Sequence, residues 1–368
     1  MVSKRGLDEY GMSRALSLAR RGMDGACPNP MVGCVLMKDG RVVGEGWHAR
    51  CGGDHAEIAA LKNAAARGET VRGATAFVTL EPCSHFGKTP PCAPRLVEEG
   101  IARVVVGTTD PNPKVNGAGI EILKNAGVEV SVPCLEEECR WLNRGFIRSK
   151  TLSRPWITLK AALGLDGRMA VKSGESNWIT GTTARVWAHL LRSGHQGLLV
   201  GAGTILRDDP ELTVRHTCGK SPLRIILDTD LSTSPEAKAL RGGCLVLTCS
   251  ENAERKHRLE AAGAEVCLVP RKDGRVDLKA ALREIASRDV QMLMVEGGPT
   301  VLSSFMREEL CDAAAFFVSG VLMGSGPGPA DGLSFESMKD AARLKNLRVR
   351  RVDGDMLVEG VFRCSPDL

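Results

Sequence analysis

The chain has 368 residues, of which 43% are hydrophobic and 25% charged, which excludes disordered, collagen-like and low-complexity proteins and predicts two globular domains. Aromatic residues reach only 4%, too few to favour a stacking platform for single-stranded nucleic acid. The net charge of +5 is spread over both halves without a basic tail, so it suits an anionic small molecule and needs no nucleic-acid partner.

The N-terminal region and the cysteines bear on the compartment. Residues 1–22 lack the continuous apolar segment of a secretory signal, and no stretch approaches the ~18 apolar residues of a membrane span. The thirteen cysteines are therefore expected to be reduced thiols, most of them buried as small apolar side chains. We expect a cytoplasmic protein with no membrane partner.

Helices and strands are predicted to alternate along the first half of the chain, which is typical of an α/β sandwich. In chain order the predicted elements are helix 8–22, strands 32–37 and 42–47 joined by an Asp39-Gly40 turn, helix 55–67, strand 74–80, a short helix ending at 99, strand 103–107, helix 119–126 and strand 128–132.

The stretch 146–155 is polar and basic and predicts the domain boundary, so we expect domains at 1–148 and 149–368. Beyond it the alternation restarts. The predicted strands are 156–160, 197–200, 223–227, 244–248, 265–268 and 292–295, the predicted helices are 181–193, 253–262, 278–288 and 299–308, and a hairpin of strands 344–352 and 355–362 closes the chain.

A zinc site is predicted in the first half from His55-Ala56-Glu57, Glu81-Pro82-Cys83 and Cys92, which together form the zinc-deaminase pattern. One imidazole and two thiolates give Zn²⁺ three protein ligands and leave a fourth position for water. Glu57 is two residues from a ligand and is suited to move the proton of that water to the departing amine. All three ligands are expected near helix N-termini, which favour thiolate over thiol.

Other interpretations of these residues remain open. Cys51 lies four residues before His55, but a fourth protein ligand would close the site, so we interpret Cys51 as a bystander. A nucleic-acid base deaminase would need a basic face and stacking aromatic residues, which the composition does not supply. A non-enzymatic scaffold would need a closed four-ligand zinc site.

The first half resembles the deaminase domain of the RibD family of bifunctional riboflavin-biosynthesis proteins. The segments that carry this resemblance are Ser84-His85-Phe86-Gly87-Lys88-Thr89-Pro90-Pro91-Cys92, Pro28-Asn29-Pro30-Met31-Val32-Gly33, Thr79-Leu80-Glu81-Pro82-Cys83 and Asp110-Pro111-Asn112-Pro113-Lys114-Val115-Asn116-Gly117. Eight residues separate Cys83 from Cys92, where two are typical of zinc deaminases, and Asp54 stands where the family usually has proline.

This resemblance implies a cytidine-deaminase-like α/β/α sandwich and hydrolytic deamination of a phosphoribosylated diaminopyrimidinone. It also implies zinc on His55, Cys83 and Cys92, with Glu57 as the proton carrier. The substrate contacts that it implies are Asn29, His48, His85 and Lys88.

Two glycine-rich turns in the second half invite a dinucleotide-binding interpretation. Gly201-Ala202-Gly203 follows a predicted strand, but Leu206 occupies the third glycine position and Arg207-Asp208-Asp209-Pro210 is expected to break any helix, so we reject a Rossmann site. Glu296-Gly297-Gly298-Pro299-Thr300 is the better phosphate site, because it joins an apolar strand to a helix with proline in its first turn.

The second half resembles the reductase domain of the same family, which is similar in fold to dihydrofolate reductase and uses NADPH. The segments that carry this resemblance are 159–168, 173–180, 203–204, 208–210, 212–215 and 296–299. Gly164 stands where the family usually has serine, which puts any role for that hydroxyl in doubt.

The implied reaction opens the ribosyl ring by hydride transfer to its anomeric carbon. The implied NADPH contacts are Ala162, Trp178, Thr204, Asp208, Thr229, Gly298, Pro299, Thr300, Val301, Leu302, Ser303 and Ser304. The implied substrate contacts are Lys160, Ser176, Arg192, Leu212, Arg215 and Glu296. A homo-oligomer is expected from the resemblance alone.

Overall fold

The structure is a computed structural model that describes residues 3–86, 90–111 and 117–368. These residues divide into two compact units, one ending at Ser153 and the other spanning Arg154–Asp367. Within the described ranges no helix combines the length and apolar character needed to cross a membrane.

The first unit alternates helices with strands, as predicted. Its helices are α1 (Lys4–Ala19), α2 (Ala56–Ala66), α3 (Cys92–Glu98), α4 (Ala118–Asn125), α5 (Glu136–Leu142) and α6 (Arg144–Leu152), with a 3₁₀ turn at Arg20–Gly22. Its strands are β1 (Gly33–Lys38), β2 (Arg41–Trp47), β3 (Thr75–Val78), β4 (Arg103–Val106) and β5 (Glu129–Ser131).

The five strands form one sheet of order β2-β1-β3-β4-β5 with helices on both faces. Because side chains alternate along a strand, Val35 packs with α1 while its neighbour Leu36 packs with α2 on the other face. Gly33 lets α1 approach closely, since a Cβ there would lie 2.0 Å from the carbonyl oxygen of Ala15. The predicted α/β sandwich is therefore confirmed.

The second unit is built around a larger sheet. Its helices are α7 (Thr182–Ser193), α8 (Ala202–Asp208), α9 (Ala253–Ala261), α10 (Leu278–Ala286) and α11 (Pro299–Arg307), with a 3₁₀ turn at Lys238–Leu240. Its strands are β6 (Trp156–Leu163), β7 (Gly197–Gly201), β8 (Leu223–Leu227), β9 (Cys244–Thr248), β10 (Ala264–Leu268), β11 (Arg271–Lys272), β12 (Arg275–Val276), β13 (Met292–Val295), β14 (Ala313–Val318), β15 (Leu344–Val352) and β16 (Asp355–Phe362).

Nine of these strands form a sheet of order β10-β9-β8-β7-β13-β6-β14-β16-β15. The strands from β10 to β14 run parallel, and the β15–β16 hairpin adds antiparallel strands at one edge. Parallel order places the carboxyl ends of β6, β7, β8 and β13 along one edge of the sheet. This edge is where open α/β sheets bind ligands.

Six helices and strands were absent from the sequence-based expectation: α5, α6, α8, β11, β12 and β14. The stretch expected to be a polar connection is largely α6, whose residues Phe146 and Ile147 are buried. The run 313–318 has three alanines and no strand alternation, yet it forms β14 because it pairs with β6 on one side and β16 on the other. Tertiary pairing overrides local propensity there.

A buried ion pair ties the start of the second unit to its end. Asp312, which is fully buried, accepts two hydrogen bonds from Arg154, at 2.6 and 3.1 Å. The same carboxylate accepts the Ile157 N–H at 2.9 Å and the Ser365 hydroxyl at 2.7 Å. Asp312 therefore holds together the entry to β6, the entry to β14 and the chain beyond β16.

Replacing Asp312 with alanine should lower the free energy of unfolding of the second unit by about 3 kcal/mol, because the Arg154 charge would stay buried without its partner. Urea denaturation followed by circular dichroism measures the effect. Asp230→Ala is the matched control, since Asp230 pairs with Arg271 at 3.0 Å on an exposed surface and should contribute less than about 1 kcal/mol. Equal losses in the two variants would contradict this role of Asp312.

Candidate functional site

The three predicted metal ligands come together in the first unit. His55 is the N-cap of α2, Cys92 is the first residue of α3, and Cys83 lies in the loop after β3. His55 Nδ1 lies 3.5 Å from Cys83 Sγ and 3.3 Å from Cys92 Sγ, and the three ligand atoms all lie within 4.8 Å of one another. His55 and Cys92 lie at helix N-termini, and Cys83 Sγ accepts the main-chain N–H of Cys92 at the start of α3, so all three ligand atoms lie near helix N-termini, as expected.

This donor set fits zinc. Tetrahedral Zn²⁺ with its usual bond lengths separates nitrogen and sulfur ligands by about 3.5 Å, close to the spacing of His55 and the two sulfurs. Hydrogen bonding from the Cys92 thiol, and then from His55, lowers the pKa of Cys83 to about 4. The Cys92 main-chain N–H also donates to Cys83 Sγ at 3.3 Å and favours the thiolate. A divalent cation would displace the remaining Cys92 proton and take both sulfurs as thiolates.

Cys51 is not part of this cluster. Among the described residues, one cluster of three or more possible ligands could hold a metal ion, and it consists of His55, Cys83 and Cys92. The Cys51 main-chain N–H instead donates to the carbonyl oxygen of Gly25 at 2.9 Å. A three-ligand set leaves a coordination position open, which a catalytic zinc site requires and a structural one does not.

Glu57 lies on the first turn of α2 and is buried beside the ligands. Burial, together with the nearby Cys83 charge, raises the pKa of Glu57 to about 7. The carboxyl group also hydrogen-bonds Cys92. A proton carrier works best when its pKa lies near the working pH, so Glu57 is suited to accept and return a proton at neutrality.

Asn29 and His48 form a chain of hydrogen bonds that ends beside the ligands. Asn29 Nδ2 donates to His48 Nε2 at 3.1 Å, and His48 Nδ1–H donates to the carbonyl oxygen of Asp54 at 2.9 Å. The His48 and His55 rings meet edge to face with centroids 5.4 Å apart. Burial lowers the pKa of His48, which keeps its ring neutral and able to accept from Asn29.

Glu81 organises the loops on the other side of Cys83. Its buried carboxylate accepts main-chain N–H groups from Gly117 and Gly119 at 3.0 Å each, and from Asp110 at 3.2 Å and Ile120 at 3.4 Å. These bonds join the end of β3 to the start of α4. Glu81 belongs to the Glu-Pro-Cys motif, but no sequence pattern predicts that its carboxylate binds these main-chain N–H groups.

In the second unit, several of the predicted cofactor and substrate contacts lie at the carboxyl edge of the parallel strands. Ala162 lies near the end of β6, Thr204 follows β7, Thr229 follows β8, and Glu296 and Gly298 follow β13. A Cβ placed on Gly298 would lie 4.0 Å from Thr204 Oγ1, so the turns after β7 and β13 face each other. Gly298 is the N-cap of α11 with proline at the first helical position, as predicted.

Glu296 is the electrostatic centre of this edge. Arg192 from α7 contacts it with two nitrogens, both at 3.1 Å, and Lys160 from β6 contacts it at 3.4 Å. Burial alone would raise the pKa of Glu296, but the charges of Arg192 and Lys160 outweigh burial and hold that pKa at about 2. The carboxylate therefore stays ionised at neutral pH and fixes both cations.

Comparisons with known proteins agree with a deaminase unit followed by a reductase unit. The family model "RibD C-terminal domain" matches residues 155–358, and the model "Cytidine and deoxycytidylate deaminase zinc-binding region" matches residues 5–108. The riboflavin biosynthesis protein RibD of Aquifex aeolicus (strain VF5) is 42% identical over 96% of this chain and 98% of its own length. RibD of Escherichia coli (strain K12) is 38% identical over 95% of this chain and 98% of its own length. The chain belongs to the RibD family.

Solved structures give the same result. A diaminohydroxyphosphoribosylaminopyrimidine deaminase/5-amino-6-(5-phosphoribosylamino)uracil reductase from Thermotoga maritima matches with a TM-score of 0.87 and 40% identity, over 97% of this chain and 99% of that one. The expected fold, a deaminase-like domain followed by a reductase domain, is confirmed. A RibD chain is a bifunctional deaminase and reductase of riboflavin biosynthesis, with zinc and NADPH as its cofactors.

One expectation about the RibD reductase half is wrong. Residues 207–210 were expected to prevent a helix after β7, but α8 runs from Ala202 to Asp208 and carries Thr204. The helix is short enough to end before Pro210, and Asp209 supplies its left-handed C-cap with φ 38°. Trp178, a predicted NADPH contact, is 75% exposed, and its ring centroid lies 4.2 Å from the Arg185 guanidinium. Its ring is available to a ligand.

The remaining predicted contacts differ in how much side chain they expose. Lys88 lies outside the described residues, and His85 is exposed in the loop that follows Cys83. Ser176 is half-buried, and Asp208 and Arg215 are exposed. In α11, Thr300 is exposed and Val301 half-buried, whereas Leu302 and Ser303 are buried. The hydroxyl groups of Ser303 and Ser304 both donate to the Thr300 carbonyl oxygen.

Sequence reasoning also missed Asn143 of the first unit. Its side chain accepts the Met31 N–H at 2.8 Å and donates to the Met31 carbonyl oxygen at 2.9 Å. This pairing fixes the Pro-Asn-Pro loop that carries Asn29. No sequence pattern links two residues 112 positions apart.

Replacing Cys83 with serine should reduce bound zinc from one ion per chain to near zero, because a hydroxyl is a much poorer zinc ligand than a thiolate. Metal analysis after gel filtration measures it. Cys51→Ser is the matched control and should keep one zinc per chain. Zinc lost from both variants, or retained by both, would contradict the three-ligand site.

Proposed function

We propose that residues 1–148 catalyse the deamination and residues 149–368 the reduction, in that order, on one phosphoribosylated pyrimidine. The three-ligand cluster with a buried glutamate in one unit, and the separate Glu296 cluster in the other, support this division. The substrate follows the Thermotoga maritima protein, whose name gives a diaminohydroxyphosphoribosylaminopyrimidine for the deaminase and a 5-amino-6-(5-phosphoribosylamino)uracil for the reductase.

In the deaminase unit, His55, Cys83 and Cys92 would hold the zinc ion, which supplies a Lewis acid that makes hydroxide available at neutral pH. Glu57 accepts the proton released by water and delivers it to the leaving amine, so water adds to the ring carbon, the C–N bond breaks and ammonia departs. Asn29 and His48 hold the pyrimidine beside the ligands, as do His85 and Lys88 from the loop between the two cysteines.

In the reductase unit, bound NADPH would supply a hydride for the anomeric carbon, and cleavage of the ring C–O bond with a proton from water on the ring oxygen would give a ribityl chain. The proposed substrate contacts are Lys160, Ser176, Arg192, Leu212, Arg215 and Glu296. Glu296 holds Arg192 and Lys160 in place, and Arg215 is the exposed cation suited to a phosphate.

NADPH would occupy the carboxyl edge of β6, β7, β8 and β13. Its proposed contacts are Ala162, Trp178, Thr204, Asp208, Thr229, Gly298, Pro299, Thr300, Val301, Leu302, Ser303 and Ser304. The free N–H groups at the start of α11 suit its phosphates. Since Leu302 is packed in the core, any contact there involves its main chain.

We also infer that the enzyme works in the cytoplasm as a homo-oligomer. The free cysteines support the compartment, because reducing conditions keep thiols unpaired. Membership of the RibD family supports the homo-oligomer. Sedimentation of the purified chain reports its oligomeric state.

Replacing Glu57 with glutamine should slow ammonia release by about 10²–10⁴-fold, because the amide cannot carry the proton. NADPH oxidation with the deaminated substrate should be unchanged, and zinc should remain bound. Ammonia release and NADPH absorbance measured on the same preparation test both statements. Parallel loss of both activities in a folded variant would contradict two separate sites.

Replacing Arg215 with alanine should raise the reductase KM for the phosphorylated substrate by about 10–100-fold at unchanged kcat, because a charge-assisted contact to phosphate is lost. The KM for the dephosphorylated substrate should not change. Arg283→Ala, on the exposed face of α10, is the matched control and should affect neither substrate. An equal rise in KM for both substrates would show that Arg215 does not bind the phosphate.

A further inference from the structure

His189 is a buried residue of α7 for which the proposed reaction has no role. It is 6% exposed and its side chain points toward the segment Leu212–Arg215. The Arg215 main-chain N–H donates to His189 Nδ1 at 3.0 Å. The His216 ring packs edge to face against the His189 ring, with centroids 4.5 Å apart.

We propose that His189 is a positioning residue of the reductase, which sets the place of the Arg215 guanidinium by holding the Arg215 main chain. The proposal rests on the proposed function, because it takes Arg215 to be a contact for the substrate phosphate. His189 itself touches neither substrate nor cofactor in this proposal.

The geometry of α7 supports the positioning role of His189. His189 and Arg192 are three residues apart and so lie on one face of the helix. Arg192 donates to the Thr213 carbonyl oxygen, while His189 accepts from the Arg215 N–H. One turn of α7 therefore hydrogen-bonds the segment at two points. Arg192 also donates to Glu296 after the end of β13.

The segment needs such support because it is irregular. Leu212 has φ 56°, and the chain from there to Arg215 belongs to no helix or strand. The polar ties within the loop are local: the Val214 N–H donates to Ser221 Oγ at 3.0 Å, and the Arg215 guanidinium contacts Glu211 and Thr213. Leu212 is packed in the core, and the contacts with α7 fix the main chain that follows it relative to Glu296.

The ring is in the state that this contact requires. Burial, followed by the charge of Arg192, lowers the pKa of His189 to about 4. The ring is therefore neutral at pH 7, with the proton on Nε2 and a lone pair on Nδ1 to accept the Arg215 N–H.

The test compares His189→Leu with His189→Asn, two side chains of the same size and branching. Asparagine presents Oδ1 where histidine presents Nδ1, whereas leucine offers no acceptor. In NADPH oxidation assays, leucine should raise the KM for the phosphorylated substrate about tenfold at unchanged kcat, and asparagine should restore it to within about threefold of wild type. The Kd for NADPH and the rate of ammonia release should be unchanged in both.

A second comparison separates this proposal from the function on which it rests. If His189 acts through Arg215, then His189→Leu should have no further effect on KM in an Arg215→Ala background. An additional tenfold rise there, equal KM values for the leucine and asparagine variants, or a fall in kcat alone would overturn the positioning role. Absence of NADPH oxidation in the wild-type enzyme, or an Arg215→Ala variant with unchanged KM, would instead refute the proposed function.

Discussion

Buried carboxylates at the ends of β-strands organise both units. A carboxylate loses its hydration on burial, so the chain must bring N–H donors or cations to it. Glu81 after β3 gathers four main-chain N–H groups, and Asp312 before β14 gathers Arg154 and two further donors. Glu296 after β13 gathers Arg192 and Lys160. Two of these carboxylates, Glu81 and Glu296, fix loops beside the predicted sites.

Glu57 and Glu296 show how neighbours decide what a buried glutamate can do. Both lie inside a site, yet the pKa of Glu57 is about 7 and that of Glu296 about 2. Glu57 is buried next to the Cys83 thiolate, so burial and that negative charge raise its pKa and the carboxyl can exchange a proton. Glu296 lies between two cations, so it stays charged and serves as an anchor.

The sequence predicted the parts of this molecule whose pattern is local. The helix and strand alternation, the His55, Cys83 and Cys92 set and the proline start of α11 all follow from spacing along the chain. Residues that act through distant contacts were not predictable: Asn143 pairs with Met31, and His189 holds a segment 26 positions away. The strand β14 was missed because its alanines become a strand only between β6 and β16. The roles of the individual site residues stay predictions until the variants are measured.

The eight residues between Cys83 and Cys92 have a consequence for how a zinc deaminase acquires a new substrate. The two cysteines close a loop, and closure entropy grows only with the logarithm of loop length. Lengthening the spacing from two residues to eight doubles the loop length twice and costs about 1.2 kcal/mol of closure entropy. One hydrogen bond to a charged group can contribute more stability than that. The longer loop therefore costs little, and it is the loop from which we propose that His85 contacts the phosphorylated pyrimidine. Substrate range can evolve inside the metal site itself.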